Sequence, residues 1–307
     1  MSNLKSGLEA GRFVLTTELT PPLSVDAEDL LAVARPLKGL ADAVNVTDGA
    51  SARAHMDCLA AAAILLREGI EPVMQLTGRD RNRIALQGAL LGAAALGVKN
   101  LLFLTGDDPK AGDQPEAKPV FDLDSTGLAR TAAAIRDSGV LPHGRKVAGH
   151  AEFFVGVSDA PVDPAPDWSP VSLKRKIDAG AEFVQTQFCM DVGLVRRYLA
   201  RLSDEGLLER VRFLIGVAPL ASARSAHWIR DHLPGSIIPD PLIARLEGAR
   251  EPKAEGRQAC VDCIADLAAT PGVSGVHVMG PLNEAAIPQT LAEARRVLPE
   301  RREAPRP

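Results

Sequence analysis

Eight short apolar runs of β-prone residues alternate along this chain with longer stretches of helical period. The candidate strands are Phe13–Leu19, Ala43–Thr47, Pro72–Thr77, Asn100–Thr105, Glu152–Val157, Phe183–Phe188, Phe213–Val217 and Gly275–Met279. Alternation of this kind requires a parallel sheet, because each helix returns the chain to the start of the next strand. Eight such units favour closure over an open sheet. The sequence therefore predicts an α/β fold, a (β/α)8 TIM barrel.

The candidate helices have apolar residues at spacings of three and four. They are Ala27–Lys38, Ala52–Glu68, Asn82–Leu96, Ser125–Ser138, Ser172–Ala179, Val192–Leu202, two or three helices within Ser222–Ala269, and Pro288–Val297. No linker divides the 307 residues. We therefore expect one domain, 1–307, in which residues 299–307 form a frayed polar tail.

Composition narrows the class of function. The net charge is −4, and no basic patch is interleaved with aromatic residues, so we expect no nucleic-acid partner. The longest apolar run, Cys58–Leu66, is far too short to span a bilayer, and Met1–Arg12 lacks the basic-then-apolar order of a signal peptide. We expect a cytoplasmic protein with no membrane partner.

The positions of the cysteines favour a core-packing role over a metal or redox role. Cys260 and Cys263 form a CxxC, but with Ile264 and Leu267 they fall on one face of a helix. The chain has no second CxxC or spaced histidine pair that would complete a metal site. We therefore interpret both cysteines as small core residues and predict no metal.

Polar residues collect at the carboxyl ends of the candidate strands. In a closed parallel barrel these ends converge on one mouth, where enzymes of this architecture hold their active sites. The set comprises Glu18, Thr47, Asp48, Gln75, Thr77, Thr105, Gly106, Asp107, Ser158, Asp159, Gln187 and His277. Long loops, Gly106–Asp122 and Ser158–Val171, leave the same end, and long loops within a compact domain are usually functional.

Glu18 is the strongest candidate for acid–base chemistry. It ends an apolar strand that Pro21 and Pro22 then break. A carboxylate is expensive to bury unpaired, so its position favours a general acid or base over a solvated glutamate at a loop edge. The chain has no GxGxxG after a strand and no HExxH. From its residues alone, the chain is a barrel enzyme with one acid near the mouth.

Five motifs on these strands resemble, in order, those of the methylenetetrahydrofolate reductase family, a family of flavin-dependent barrels. They are Thr17-Glu18-Leu19-Thr20-Pro21-Pro22, Val46-Thr47-Asp48-Gly49-Ala50, Leu104-Thr105-Gly106-Asp107-Asp108-Pro109, Leu173–Ala181 followed by Thr186-Gln187-Phe188 and Asp191, and Leu233-Pro234-Gly235 with Ile238-Pro239. The resemblance runs from about Phe13 to His277, which is nearly the whole chain.

The resemblance implies a hydride relay. Reduced nicotinamide, NADH or NADPH, reduces a flavin, FAD in the family, and the flavin reduces 5,10-methylenetetrahydrofolate to 5-methyltetrahydrofolate, a step of one-carbon metabolism and methionine biosynthesis. Glu18 would protonate the folate by way of N10, Asp107 would lie beside pterin and flavin, and Gln187 would hydrogen-bond the pterin or the nicotinamide. A homo-oligomer is also implied.

For the cofactor, the resemblance implies a flavin contact from Thr47 and phosphate contacts from Arg175 and Lys176, with Gly106 in the matching Gly-Asp motif. Other cofactor positions depart from the family pattern. Gln75 replaces a histidine, Thr105 replaces an arginine, and Ser158 begins a segment that replaces a Tyr-Pro-Glu-x-His loop.

These departures leave alternatives open. FMN could replace FAD, an iron–sulfur or other electron-transfer protein could be the donor, or hydride could pass directly from nicotinamide to folate. A pterin-binding methyltransferase without a redox step is another class, which Glu18 and the Lys174-Arg175-Lys176 cations argue against. A non-catalytic folate-binding protein is a third class. The acid at Glu18 argues against it, because binding alone would tolerate Gln at this position.

Overall fold

The computed structural model describes residues 1–298, and the tail predicted for 299–307 lies outside them. Eight parallel strands form a closed barrel in chain order, with the last paired to the first. They are β1 (Val14–Leu19), β2 (Ala43–Val46), β3 (Pro72–Thr77), β4 (Asn100–Leu104), β5 (Phe154–Asp159), β6 (Phe183–Phe188), β7 (Arg212–Val217) and β8 (Val273–Val278). The predicted (β/α)8 barrel is confirmed.

Helices surround the barrel, with small and branched side chains packed against the strands. Within residues 1–298 they are α1 (Asn3–Glu9), α2 (Ala27–Ala34), α3 (Cys58–Arg67), α4 (Arg83–Ala95), α5 (Ser125–Ser138), α6 (Val171–Asp178), α7 (Val192–Asp204), α8 (Ala223–His232), α9 (Asp240–Glu247), α10 (Pro252–Ala268) and α11 (Ile287–Val297). The stretch from Ser222 to Ala269 thus holds three helices. Cys260 and Cys263 are buried on α10, as predicted.

Side-chain caps start several helices that follow strands. Asp26, Asp57, Asn82, Asp124 and Asp191 each accept a hydrogen bond from a backbone N–H in the first turn of the next helix. Such caps satisfy donors that the helix leaves unpaired. Because these helices begin after strands end, their N-termini lie on the mouth side of the barrel.

Several predicted boundaries differ from the structure, and two of these differences affect the mouth of the barrel. The third helix begins at Cys58 and not at Ala52, because Gly49, Ser51 and Ala52 adopt left-handed backbone angles that a right-handed helix excludes. The fifth strand is Phe154–Asp159 and not Glu152–Val157. Its register against β6 pairs Asp159 with Thr186, so the strand carries two more residues toward the mouth.

Helix α1, which the sequence analysis did not predict, closes the opposite end of the barrel. Leu4 and Leu8 are buried in a cluster with residues near the strand starts, among them Val14, Ala43 and Phe154. The backbone N–H groups of Asn3 and Leu4 donate to the Glu71 carboxylate, each at 2.8 Å. The described residues contain no helix able to cross a membrane and no His, Cys, Asp and Glu cluster suited to a metal ion.

Candidate active site

A cavity of about 620 Å³ opens at the carboxyl ends of the strands. All twelve polar residues predicted from the strand ends line it: Glu18, Thr47, Asp48, Gln75, Thr77, Thr105, Gly106, Asp107, Ser158, Asp159, Gln187 and His277. They come from seven of the eight strands and the segments that follow them. The convergence expected of a parallel barrel therefore brings the set together, whereas the chemical role of each member stays a prediction.

Glu18 lies at the inner wall of this cavity, opposite His277. Its Oε2 atom is 3.6 Å from Nε2 of His277, which is close enough for an ion pair but longer than a hydrogen bond. The Glu18 side chain is 31% exposed and that of His277 is 4% exposed. The carboxyl group therefore faces the cavity, while the imidazole behind it is buried.

The ring of His277 is held from below by polar side chains of three other strands. The Thr16 hydroxyl lies 3.0 Å from Nδ1 and donates to the carbonyl of Val276 at 3.2 Å. Nε2 of Gln185 donates to Thr16 and to Asn45 Oδ1, and Asn45 donates back to Gln185 Oε1 at 2.6 Å. All these groups are buried, so the network fixes the ring against rotation.

The network also constrains the proton on His277. When Nδ1 of His277 carries the ring proton, it donates to the Thr16 hydroxyl, whose own proton goes to the carbonyl of Val276. A neutral ring then turns an unprotonated Nε2 toward Glu18. This tautomer places a proton acceptor beside the Glu18 carboxyl group, an arrangement that suits a pair working in acid–base chemistry.

The other predicted catalytic residues lie at the rim. Asp107 is exposed on the loop after β4. Gln187, at the end of β6, donates to the carbonyl of Pro234 at 3.2 Å, and its Oε1 accepts from the N–H of Phe188 at 3.1 Å. These contacts orient the Gln187 amide beside the segment that follows α8.

Some of the predicted cofactor residues are buried inside the cavity, and others lie at its rim. Thr47 and Gln75 are buried, and the Thr47 hydroxyl has no hydrogen-bond partner within the described residues. Thr105 is exposed and Ser158 is half-buried. Gly106 adopts φ +96°, and a side chain there would strike Arg79. A buried hydroxyl without a partner is rare and marks a place where a bound group can supply one.

Lys176 and Arg175 differ in position although they are adjacent in sequence. Lys176 lines the cavity and donates to the carbonyl of Ser158 at 2.6 Å, whereas Arg175 is exposed and is not among the lining residues. Burial lowers the pKa of Lys176, and Asp159 opposes that shift. Burial likewise raises the pKa of Asp159, although its carboxylate accepts a hydrogen bond from Tyr198.

Sequence reasoning missed the layer below the mouth. Thr16, Asn45 and Gln185 each come two residues before a predicted site residue, namely Glu18, Thr47 and Gln187. Side chains two apart on a strand point to the same face, so strand alternation alone indicates that these polar residues face the barrel interior. Arg79, which follows β3, also lines the cavity.

Comparison with known proteins agrees with the motifs. The sequence model of the family described as Methylenetetrahydrofolate reductase matches residues 3–295. The chain belongs to the methylenetetrahydrofolate reductase family. Membership makes it an oxidoreductase of the methylenetetrahydrofolate reductase type, as predicted, and favours reduction over the methyl-transfer alternative.

Relatives extend over most of the chain. The 5,10-methylenetetrahydrofolate reductase of Salmonella typhimurium is 26% identical over 277 residues, which cover 87% of this chain and 86% of that protein. The protein of the same name from Pectobacterium carotovorum subsp. carotovorum is 27% identical over 257 residues, or 78% of each chain. Methylenetetrahydrofolate reductase 1 of Schizosaccharomyces pombe is 26% identical over 220 residues, 68% of this chain and 33% of that protein.

The mouth fits the flavin on which this reductase family generally depends. Its volume, about 620 Å³, lies within the range of about 300–1,000 Å³ typical of cofactor sites. The buried Thr47 hydroxyl offers an unused donor, and Gln75 offers an amide in place of the family's histidine. Arg79 and Lys176 also line the cavity, where Arg79 pairs with Asp80 and Lys176 faces Asp159. The residues present are therefore compatible with a polar ring.

Proposed function

We propose that this protein reduces 5,10-methylenetetrahydrofolate to 5-methyltetrahydrofolate with electrons from NADH or NADPH through a bound flavin, FAD, and that Glu18 is the general acid. The observation that carries the proposal is Glu18 itself. Its carboxyl group faces the cavity at the end of β1 and has a buried imidazole behind it.

Glu18 would deliver a proton to N10 of the folate. Protonation of N10 weakens its bond to the bridging methylene carbon, so the five-membered ring opens to a reactive iminium. His277 would hold Glu18 in position and share its proton between turnovers. This division suits a partly exposed acid supported by a buried, hydrogen-bonded base.

Asp107 and Gln187 would orient the pterin. A carboxylate accepts hydrogen bonds from ring N–H and amino groups, and an amide both donates and accepts. Their positions at the rim, on the loop after β4 and at the end of β6, allow contacts on different sides of a flat ring. Bound flavin would supply the hydride chemistry, with Thr47, Gln75, Thr105, Gly106, Ser158, Arg175 and Lys176 as its proposed contacts.

The deciding experiment is an absorbance spectrum of the purified protein with and without added FAD or FMN, followed by anaerobic NADH and NADPH. We expect a flavin spectrum that bleaches with one of the nicotinamides and recovers when methylenetetrahydrofolate is added. A flavin that neither nicotinamide bleaches would replace the donor by an electron-transfer protein. A protein that binds no flavin yet oxidises NADH with methylenetetrahydrofolate would contradict the flavin relay and establish direct transfer.

A further inference from the structure

A second cavity lies on the outside of the barrel, at the end opposite to the mouth. Its volume is about 610 Å³, and it lies between residues 91–95 of α4, Ile135 of α5 and the segment 141–151. That segment connects α5 to the start of β5, and residues 91–95 form the last part of α4. Both walls therefore belong to the amino ends of the strands. We name this cavity the α4–α5 groove, and the proposed chemistry leaves it without a role.

The floor of the α4–α5 groove is apolar. Ile135, Leu141 and Ala151 are at most 9% exposed, and Leu91 and Val147 beside them are half-buried. Of the described residues that line the groove, none is Asp or Glu. An apolar group that covers this floor would remove its own surface and that of the floor from water, which is favourable.

Positive charge borders this floor. Arg145, Lys146 and His150 line the groove and are exposed. Among residues 1–298, the side chains of these three residues have no hydrogen-bond or ion-pair partner. Arg145 and Lys146 therefore carry charges that the described chain does not neutralise.

The acidic residues nearest in sequence are engaged with other cations. Asp137 pairs with Arg136, and Glu152 pairs with Lys99 and with the amino terminus. No Asp or Glu occurs in the sequence between positions 137 and 152. The groove thus concentrates positive charge on a chain whose net charge is −4, so an anion is the ligand that complements it.

A hairpin holds the backbone of the two cations in place. Val140 and Lys146 form an antiparallel bridge, and the N–H of Leu141 donates to the carbonyl of Arg145 at 2.9 Å. The turn of the hairpin contains Gly144, whose φ of +89° is a backbone angle that favours glycine. Because the hairpin forms without a ligand, binding would not have to order it first.

These features fit a small molecule better than a protein partner. The volume lies within the range of about 300–1,000 Å³ typical of small-molecule sites. Protein interfaces are enriched in Tyr, Trp, Phe and Met, and the described lining of the groove includes none of them. We propose that the α4–α5 groove binds a small organic anion with an apolar body, whose carboxylate or phosphate contacts Arg145 and Lys146. The site does not depend on the proposed function, because it shares no lining residue with the mouth.

Two fluorescent probes with the same ring system test the role of charge. The anionic probe is 8-anilinonaphthalene-1-sulfonate, and the neutral probe is N-phenyl-1-naphthylamine, which lacks the sulfonate. We expect an Arg145→Gln, Lys146→Gln double variant to weaken the anionic probe about five- to tenfold and to leave the neutral probe unchanged. An Arg67→Gln, Lys253→Gln double variant removes two exposed cations elsewhere and should bind both probes like the wild type.

A third variant locates the site. Ala94→Trp places a large side chain in the groove and should abolish binding of both probes there, and Ala95→Trp replaces it if melting temperatures show that Ala94→Trp unfolds. Octanoate and octyl phosphate are then added to the wild type as competitors. We expect at least one to displace the anionic probe, and the stronger competitor identifies the head group as a carboxylate or a phosphate.

Three results would overturn the proposal. The first is equal weakening of the two probes, or of neither, by loss of the cations. The second is unchanged probe binding after the groove is filled, or no displacement by either competitor. The third is a wild-type oligomer that Ala94→Trp dissociates in light scattering, since the groove would then be an interface between copies of this chain.

Discussion

Glu18 meets His277 because of strand register at the junction that closes the barrel. Thr16 is the Cα partner of His277, so the imidazole lies one pleat below the carboxyl group two residues further along β1. Thr16 and Gln185 then fix the ring from below. The position of the acid therefore depends on residues that are far apart along the chain, since 261 positions separate Thr16 from His277 and 169 separate it from Gln185.

Glu18→Gln should slow the folate half-reaction by about 100-fold or more, because the amide cannot donate a carboxyl proton. Ligand binding should persist, since glutamine keeps the shape of the side chain. Stopped-flow reoxidation of the reduced enzyme by methylenetetrahydrofolate measures the step, and Glu116→Gln, on an exposed loop position, is the control. An equal loss of NADH-driven reduction would instead make Glu18 structural.

His277→Asn should lower kcat about tenfold with little change in KM, because Glu18 loses the group that orients it. The two residues should also be coupled. A Glu18→Gln, His277→Asn double variant should be no slower than Glu18→Gln alone, as expected when residues act as one unit. Effects that multiply would show that His277 acts independently of Glu18.

Asp159 should make stability depend on pH in the direction opposite to that of an ordinary paired carboxylate. Burial raises its pKa in the folded protein, so the folded state holds the proton more tightly than the unfolded state. Its contribution to stability is therefore present below about pH 4, the unfolded value, and is lost as pH rises through the folded value.

The free energy of unfolding of the wild type, relative to Asp159→Asn, should thus fall as pH rises from about 4. Urea unfolding at several pH values measures this difference. Asp163→Asn is a comparison of opposite sign, because a hydrogen bond from Arg197 lowers the pKa of Asp163. If the free energies of unfolding of the wild type and Asp159→Asn change equally with pH, the pKa of Asp159 is not raised by folding.

At the scale of elements, the loop after β4 packs onto the loop after β3. Val120 donates its N–H to the carbonyl of Arg79 at 2.7 Å, and Arg83 binds the Asp122 carboxylate through its backbone and its side chain. The Arg83 hydrogen bond is the main cause that lowers the pKa of Asp122 to about 2. Gly78 allows the close approach, because a Cβ there would lie 1.9 Å from the carbonyl oxygen of Leu123.

Gly78→Ala should therefore displace this loop and expose residues 106–122 to proteases. Limited proteolysis with mapping of the first cut measures the effect. Gly88→Ala is a matched control, since nothing lies within 4 Å of a Cβ at that position of α4. Helix propensity predicts that the control is stabilised by up to about 1 kcal/mol. Equal protease sensitivity of the two variants would contradict the role of the loop contact.

Elements with a strong pattern could be predicted, and elements set by tertiary contacts could not. Strand alternation gave the barrel, and the direction of parallel strands gave the residues of the mouth. The start of α3 was misjudged because the left-handed backbone of Ser51 and Ala52 leaves no mark in an alanine-rich sequence. The hydrogen bond between Asn45 and Gln185 crosses the barrel interior from β2 to β6, so no local sequence pattern predicts it.

At the scale of the whole molecule, α1 is too short to predict but is well anchored. It has seven residues and two buried leucines, and an isolated helix of that length is unstable in water. Its stability comes from the cluster that Leu4 and Leu8 form with the strand starts. The helix is therefore a product of the folded barrel.

Leu4→Ala should destabilise the protein by about 2–5 kcal/mol, because it opens a cavity beneath the strands. Val25→Ala truncates a fully exposed apolar side chain and should change stability by less than about 0.5 kcal/mol. Chemical denaturation of both variants measures the difference. Similar midpoints would show that α1 is detached from the barrel in solution.

The closure of the barrel floor by α1 has a kinetic consequence. With Leu4 and Leu8 packed beneath the strands, the cavity of the described chain is reached from one end. Under the proposed function, the electron donor and the folate enter through the same opening. They therefore bind one after the other and not together. Each should then act as a competitive inhibitor of the other at high concentration, and double-reciprocal plots at several fixed folate concentrations should be parallel lines.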